Sequence, residues 1–432
     1  MKLLARLGPV LAAFALVSSA SSDFEVVRRE AGPSNATFVH DTGSGSVVFA
    51  VAAVKDVGDL YFHLEAPAEY SWVAVGSGEE MDGSLMWVAY RSENGTGVTL
   101  SSRTSDGHVE PSYNSGIDCQ ISTRNGTSNG IIKINNRDIL AVNGVCKNIT
   151  RITASDSKGA IDLTSSSQNF IFGLGPTGKT IQSDSKSAGI RRHTLYGQFS
   201  LDLSKATVAN TEDVDEAQLS SVGNWQNANA QVVGDVTSDR DWSGPAHVVL
   251  MGGAFVIVFP LGVVFLRVLE KVKWHAWMQG VGMVLAIIGL GVGIYLGREY
   301  NHSKDFNSAH QIIGLIVVLF ALVQFTLGMR HHRVYVRSQR PTTFGRIHRY
   351  IGPPLLLLGA INGFLGFNLA GEDDDNIWYG VIVGVIIVAL AGSLFWARRR
   401  RGGKAAKLGR GNMGRESYEG GHIPLTNMGH GG

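Results

Sequence analysis

Two different periodicities divide the chain. Between residues 24 and 203, apolar side chains alternate with polar ones or gather in short runs, as in LYFHLEAP, YSWVAVGSG, LMWVAYR and GVTLSSR. Gly, Ser, Asn and Pro punctuate these segments, which return about every ten residues, a pattern that predicts an all-β sandwich or barrel over 23–203. From Ser204 to Asp241 the sequence turns polar and poor in aromatics, and 204–243 reads as a linker. Beyond it lie five apolar runs, 245–268, 275–297, 310–329, 348–370 and 377–397, within a helical membrane region spanning 244–400. Each run has about 20 residues, enough to cross a hydrocarbon core as a helix. The tail 401–432 is basic, then Gly-rich, and reads as disordered.

The ends and loops orient this layout. Residues 1–22, MKLLARLGPVLAAFALVSSASS, place Lys2 and Arg6 ahead of a short apolar run, with Ser18 and Ala20 at cleavage positions. That is the form of a secretory signal. The loop after the first run carries Arg267, Lys271 and Lys273. The loop after the third carries Arg330, Arg333, Arg337, Arg340, Arg346 and Arg349, and the tail opens with Arg398 to Arg401. GREYNHSKDFNSAH after the second run is charge-balanced and GEDDDN after the fourth is acidic. This alternation puts residue 243 outside and the tail in the cytosol, as the leader does independently. An integral protein of the secretory pathway is expected, in the plasma membrane, with the lipid bilayer as its first partner. The net charge of +2 adds little, because the charges are segregated, and no nucleic-acid partner is expected.

In an oxidising compartment the two cysteines, Cys119 and Cys146, would pair. Sequons begin at Asn35, Asn94, Asn125, Asn148 and Asn301, all on the outer side in this topology, and mark candidate glycosylation sites.

Four histidines carry the candidate chemistry of the membrane half. His247 opens the first run, His275 the second, His310 the third and His348 the fourth, while the fifth has none. Consecutive helices run in opposite directions, so His247 and His310 share the outer side and His275 and His348 the cytosolic side. Two histidines meeting at each of two depths in a four-helix core are what two bis-imidazole haem irons require. At a rise of about 1.5 Å per residue the irons would stand about 20 Å apart. Interfacial, hydrogen-bonded histidines are the bland reading, made less attractive by one histidine per helix paired by side. Zinc needs a third and fourth ligand that isolated pairs lack. His302, His331 and His332 fall in loops and read as solvated, and Gln279, Gln324 and Asn362 as interhelical hydrogen-bond partners.

Five helices bearing these four histidines resemble the cytochrome b561 domain, most closely in PLGVVFLRVLEKVKWHAWMQGVGMVL. The resemblance implies two b haems, one between the first and third helices and one between the second and fourth. It also implies that Arg267 helps to bind an ascorbate-like donor, with Lys271 and Lys273 as looser candidates or simply as positive-inside residues. No separate motif marks an outer ascorbate site.

In the β half, GSGEEMDGSLMWVAYRS, VTLSSRTSDGHVEP and HTLYGQFSLDL resemble the DOMON fold, and more narrowly the haem-binding cytochrome domain of fungal cellobiose dehydrogenases. That family holds haem b between a Met and a His, and the positions that match are Met81 and His193. Met86 is an alternative that reads as strand core, and His40, His63 and His108 are alternatives without the family's context. Some DOMON domains bind no haem and recognise sugars. No flavin or nicotinamide fingerprint occurs.

The expectation is therefore transmembrane electron transfer through b-type haems, in the manner of a transmembrane ferric reductase. Electrons would pass from a cytosolic reductant to an extracellular ferric chelate or secreted oxidoreductase by way of the DOMON haem. The alternative is a haem-free ligand- or carbohydrate-binding DOMON module tethered to a two-haem membrane domain. A transporter is disfavoured, because the helices show no inverted repeat with broken segments.

Overall fold

The computed structural model describes residues 35–123, 127–152, 158–219, 221–223 and 225–419. The leader expected at 1–22 and the sequon at Asn125 lie outside the described residues.

The half with period two folds as a β-sandwich. Its strands begin with β1 (Ala36–Asp41), β2 (Ser46–Val54), β3 (Asp59–Pro67), β4 (Val73–Ser77) and β5 (Leu85–Arg91). They continue with β6 (Val98–Thr104), β7 (Ser112–Tyr113), β8 (Cys119–Ile121), β9 (Gly130–Ile134) and β10 (Arg137–Cys146). The last are β11 (Gln168–Leu174), β12 (Leu195–Leu201), β13 (Thr207–Val208) and β14 (Ala230–Ser238). One sheet has the order β1-β2-β3-β10-β8, with β9 on β10 and β13 on β2. The other runs β14-β12-β11-β4-β5-β6-β7. The pairings are antiparallel apart from β13 on β2.

Strand β5 shows how sequence becomes layers. Leu85, Trp87 and Ala89 enter the core between the sheets, among Phe49, Phe62, Phe170 and Phe199. Met86, Val88 and Tyr90 point the other way, into a second apolar cluster with Trp72, Ala74 and Ile190. A strand buried on both faces has no polar side to alternate, so LMWVAY is apolar throughout. The Trp87 ring lies 5.2 Å from Phe62 and 5.7 Å from Phe49, and its Nε1–H donates to Cys146 Sγ at 2.9 Å. Cys146 faces Cys119 across β10 and β8, and the two form the expected disulfide.

Residues 204–243 are not a linker. Strand β14 pairs with β12 from Ala230 opposite Leu201 to Ser238 opposite Leu195. Val214, Leu219 and Trp225 pack on Ala50, Ala52, Val54 and Tyr61, on the outer face of the first sheet. The segment looked unstructured because β14 is a sheet edge that leaves Val232 and Val233 exposed and presents little apolar periodicity.

The second half holds five helices long and apolar enough to cross a membrane: α1 (Ser243–Arg267), α2 (Val272–Glu299), α3 (Ala309–Ser338), α4 (Thr343–Leu369) and α5, which starts at Asp375. Helix α5 continues to Glu419, so the tail expected to be disordered is helical as far as it is described; the run KAAKLGR is rich in helix formers. Helix α1 widens into a π turn over Gly253–Val258, just ahead of Pro260. Proline has no N–H to donate, and the preceding Phe259 N–H reaches Ala254 instead. Ser308 caps α3 and Thr342 caps α4, each accepting from a backbone N–H of the first turn. Phe255, Phe259, Met283, Ala286, Val317, Ala321 and Leu355 fill the space between the first four helices. Helix α5 lies to one side, where Tyr379 donates to the Ala360 carbonyl at 2.9 Å. Val249, Ile288, Leu319 and Val388 face outward and are exposed, an apolar exterior of the kind a bilayer would cover.

Closing a loop of 27 residues, the disulfide should stabilise the β-sandwich by about 3 kcal/mol through the unfolded chain. Replacing both cysteines by alanine is expected to lower the β-domain unfolding transition by roughly that amount, read by tryptophan fluorescence on the full-length chain in detergent.

Candidate functional site

The four histidines meet in two pairs. The rings of His247 and His310 are 6.0 Å apart between centroids, and those of His275 and His348 are 6.5 Å apart. Each pair sets its rings nearly perpendicular, at 82° and 78°. What orients the rings is a hydrogen bond from each Nδ1 to a carbonyl on the neighbouring helix. His247 reaches Gly289 and His275 reaches Gly262, both at 2.9 Å, so α1 and α2 exchange bonds. His310 reaches Asn362 at 2.9 Å and His348 reaches Gln324 at 3.0 Å, so α3 and α4 do the same. A carbonyl can only accept, so each Nδ1 carries the proton and each Nε2 is left as a bare acceptor.

Glycines make these seats possible. A Cβ on Gly293 would stand 2.5 Å from the His247 ring, one on Gly366 2.8 Å from His310, and one on Gly328 3.2 Å from His348. In all three the glycine lies four residues after the carbonyl that accepts from that histidine, one helical turn further along. The sequence reading missed these glycines, although the four-residue offset is visible in the chain once the pairing is known.

The pairs suit a bis-imidazole iron. Two metal–imidazole bonds of about 2 Å, plus roughly 1 Å from nitrogen to ring centre on each side, place the ring centroids about 6 Å apart. A proton fixed on Nδ1 by a backbone carbonyl is the arrangement that presents Nε2 to a metal. Among the described residues there is no group of three or more His, Cys, Asp and Glu placed to hold a metal ion. Gln279 donates to the Phe259 carbonyl and Gln324 to that of His348, as expected of interhelical partners. Asn362 instead offers its backbone carbonyl to His310. His302 and His332 are exposed, while His331 bonds Thr342.

In the β domain, Met81 borders the apolar cluster on the outer face of the second sheet, with Trp72, Met86, Val88 and Ile190. His193 sits over Gly173 beside Trp72, whose indole donates to the Arg191 carbonyl at 3.0 Å. Both candidates thus adjoin one cluster, and Met86 belongs to it as well. The His193 Nδ1 is buried without a hydrogen bond, 3.7 Å from the Asp239 carboxylate. Burial pushes its pKa down, which keeps the ring neutral and able to ligate. His63 is unsuited, since Asn143 and Glu65 occupy both its nitrogens. His40 lies beside Phe172, and His108 is exposed in the loop that follows β6.

The loop before His193 also meets the helical bundle. Arg191 pairs with Glu372 at 2.5 Å and Arg192 with Glu299 at 3.6 Å, at the bundle end that holds His247 and His310. Lys179 reaches Glu372 from the same side. At the far end, Arg267, Lys271 and Lys273 are exposed, and the Arg401 guanidinium donates to the Arg267 carbonyl. Among the sequons, Asn94 and Asn148 stand exposed, whereas Asn35 is buried and Asn301 donates from Nδ2 to the carbonyls of Glu110 and Pro111.

Residues 32–212 match the family model for the cytochrome domain of cellobiose dehydrogenase, and 237–332 match one described as a domain of unknown function. Neither carries the cytochrome b561 description. The chain is similar to the cytochrome b domain of pyranose dehydrogenase from Coprinopsis cinerea, at 20% identity over 44% of this chain and 92% of that one, with a TM-score of 0.35. It is also similar to the cytochrome domain of Myriococcum thermophilum cellobiose dehydrogenase, at 18% identity over 43% and 89%, with a TM-score of 0.33. A search of curated proteins gives no match.

A methyl group on Gly293 must displace the His247 ring, whereas one on Gly291 meets nothing within 4 Å. Gly293→Ala is expected to destabilise the bundle by about 1–3 kcal/mol through overpacking, and Gly291→Ala to leave it unchanged, compared by thermal midpoint in detergent.

Proposed function

We propose that the chain carries electrons across a membrane through three b-type haems. The observation that carries this reading is the double histidine pairing, with every Nδ1–H committed to a carbonyl and every Nε2 free. His247 and His310 would hold one haem, His275 and His348 a second, and Met81 with His193 a third in the β domain. Each haem supplies a one-electron couple, and thioether ligation suits the third to a higher potential.

The rest falls to the protein. Neutral imidazoles pinned by backbone carbonyls pre-organise the ligands without placing charge inside the bundle. The apolar layer of Phe255, Phe259, Met283 and Val317 packs the core of the first four helices, excluding water and fixing their separation. At the far end, Arg267, Lys271 and Lys273 offer positive charge to an anionic, ascorbate-like reductant on the cytosolic side. The β domain at the other end would pass electrons to an acceptor outside the cell, a ferric chelate or a secreted oxidoreductase. The cytochrome-domain match over 32–212 supports a haem there.

The test is haem b per polypeptide on the purified full-length protein, by pyridine haemochrome. Three are expected, falling to two in Met81→Leu and in His193→Ala but not in Met86→Leu. His348→Ala is expected to lose a different haem. Two haems in the wild type, unaffected by Met81 or His193, would empty the β domain and favour a ligand-binding module instead. None bound at the membrane histidines would overturn the reading.

A further inference from the structure

One buried carboxylate joins three parts of the molecule. Glu110 lies in the loop between β6 and β7 and is 8% exposed. Its Oε1 accepts from the Ile190 N–H at 2.8 Å, on the segment that continues into Arg191, Arg192 and His193. Its Oε2 accepts from the Asn301 N–H at 2.7 Å, in the loop between α2 and α3. The backbone of the same residue donates to the Glu299 carbonyl at 2.8 Å, and its carbonyl accepts from Asn301 Nδ2 at 3.1 Å. Ser112 completes the contact by donating to Asn301 Oδ1 at 2.9 Å. Inside the β domain the carboxylate faces Arg103, 3.8 Å away and itself buried.

We propose that Glu110 and Asn301 form a latch that holds the β domain on the helical bundle, with the His193 segment against the end that carries His247 and His310. This rests on the electron-transfer reading above, and it makes Glu110 a positioning residue for transfer between the two domains. The two carboxylate oxygens divide the work, one holding the His193 segment and the other the bundle loop. Glutamine keeps only one good acceptor, and alanine keeps neither. The ion pairs of Arg191, Lys179 and Glu372 lie beside the latch but are partly exposed, so they steer the contact more than they hold it.

The latch also reassigns a sequon. Asn301 Nδ2 spends its hydrogens on two carbonyls of the β domain, so a glycan there and docking exclude one another. Asn301 belongs to the interface and carries no sugar while the domains are docked.

The experiment reports docking without any haem. Thr180→Cys and Asp373→Cys line one cavity of about 510 Å³ between the domains and take no part in the latch. In membranes holding the full-length protein, a short bismaleimide should join this cysteine pair in most copies. Adding Glu110→Ala is expected to cut the yield at least fivefold, Glu110→Gln less, and the exposed control Glu93→Gln not at all. Asn301→Ala strips the bundle side of its side-chain bonds to Glu110, Pro111 and Ser112 but keeps the backbone N–H on the carboxylate. It leaves the Glu110–Ile190 bond intact, so it separates undocking from misfolding of the β domain; it should lower the yield too, by less than Glu110→Ala. Unchanged yields in Glu110→Ala and Asn301→Ala would overturn the latch, as would a glycan on most copies of Asn301 by glycopeptide mass spectrometry. In haem-loaded protein, transfer to the β domain should slow in Glu110→Ala while reduction of the bundle does not. Cross-linking lost with transfer unchanged would keep the latch and refute its role in the relay.

Discussion

An imidazole inside an apolar bundle has two nitrogens and almost nothing to bond them with. Helix carbonyls are already engaged along their own helix, yet each retains a second lone pair. The four membrane histidines use that spare capacity, each placing its Nδ1–H on a carbonyl of the adjacent helix. Much of the bundle follows from this. The donor must come close to a helix backbone, so in three seats the residue one turn beyond the acceptor is glycine. The proton sits on Nδ1, so Nε2 keeps an unused lone pair. Rings held by backbone cannot readily turn away, and the gap between them stays at the size of one metal ion with two bonds.

The two hairpins, α1 with α2 and α3 with α4, repeat this exchange and stack their pairs at the two ends of a shared apolar core. Helix α5 supplies no histidine and packs from the side through Tyr379 and Val383. The β-sandwich obeys a different constraint. Strands β4 and β5 of its second sheet are apolar on both faces, and what covers their outer face is the segment from Ile181 to Ile190 together with Met81. That same segment leads into Arg191 and Arg192, which meet the bundle. A site on the outer face of the sheet is therefore also a site at the domain boundary, and the latch at Glu110 ties the two together.

Much of this was legible in the chain. The apolar runs locate all five helices to within a few residues at most ends, because a membrane span must be continuous and long. Helix direction alone pairs the histidines, since it depends only on order along the chain. The disulfide followed from compartment and count. What stayed hidden depends on distant partners. Strand β14 is polar and lies at an edge, so only its pairing with β12 reveals it. The glycine seats carry no signal until the facing histidine is known, and Glu110 reads as an ordinary loop acid until Ile190 and Asn301 are placed against it. Met81 and Met86 both reach the same cluster, which a strand pattern cannot foresee for a residue in a turn.

The central claim is that the paired histidines make the bundle a conductor of electrons. It is tested most directly in sealed vesicles holding the haem-loaded, full-length protein, with ascorbate trapped inside and ferricyanide outside. The account predicts steady reduction of the outside ferricyanide, abolished in His275→Ala and in His310→Ala. Reduction no faster than in protein-free vesicles, or equally fast in those two variants, would contradict it.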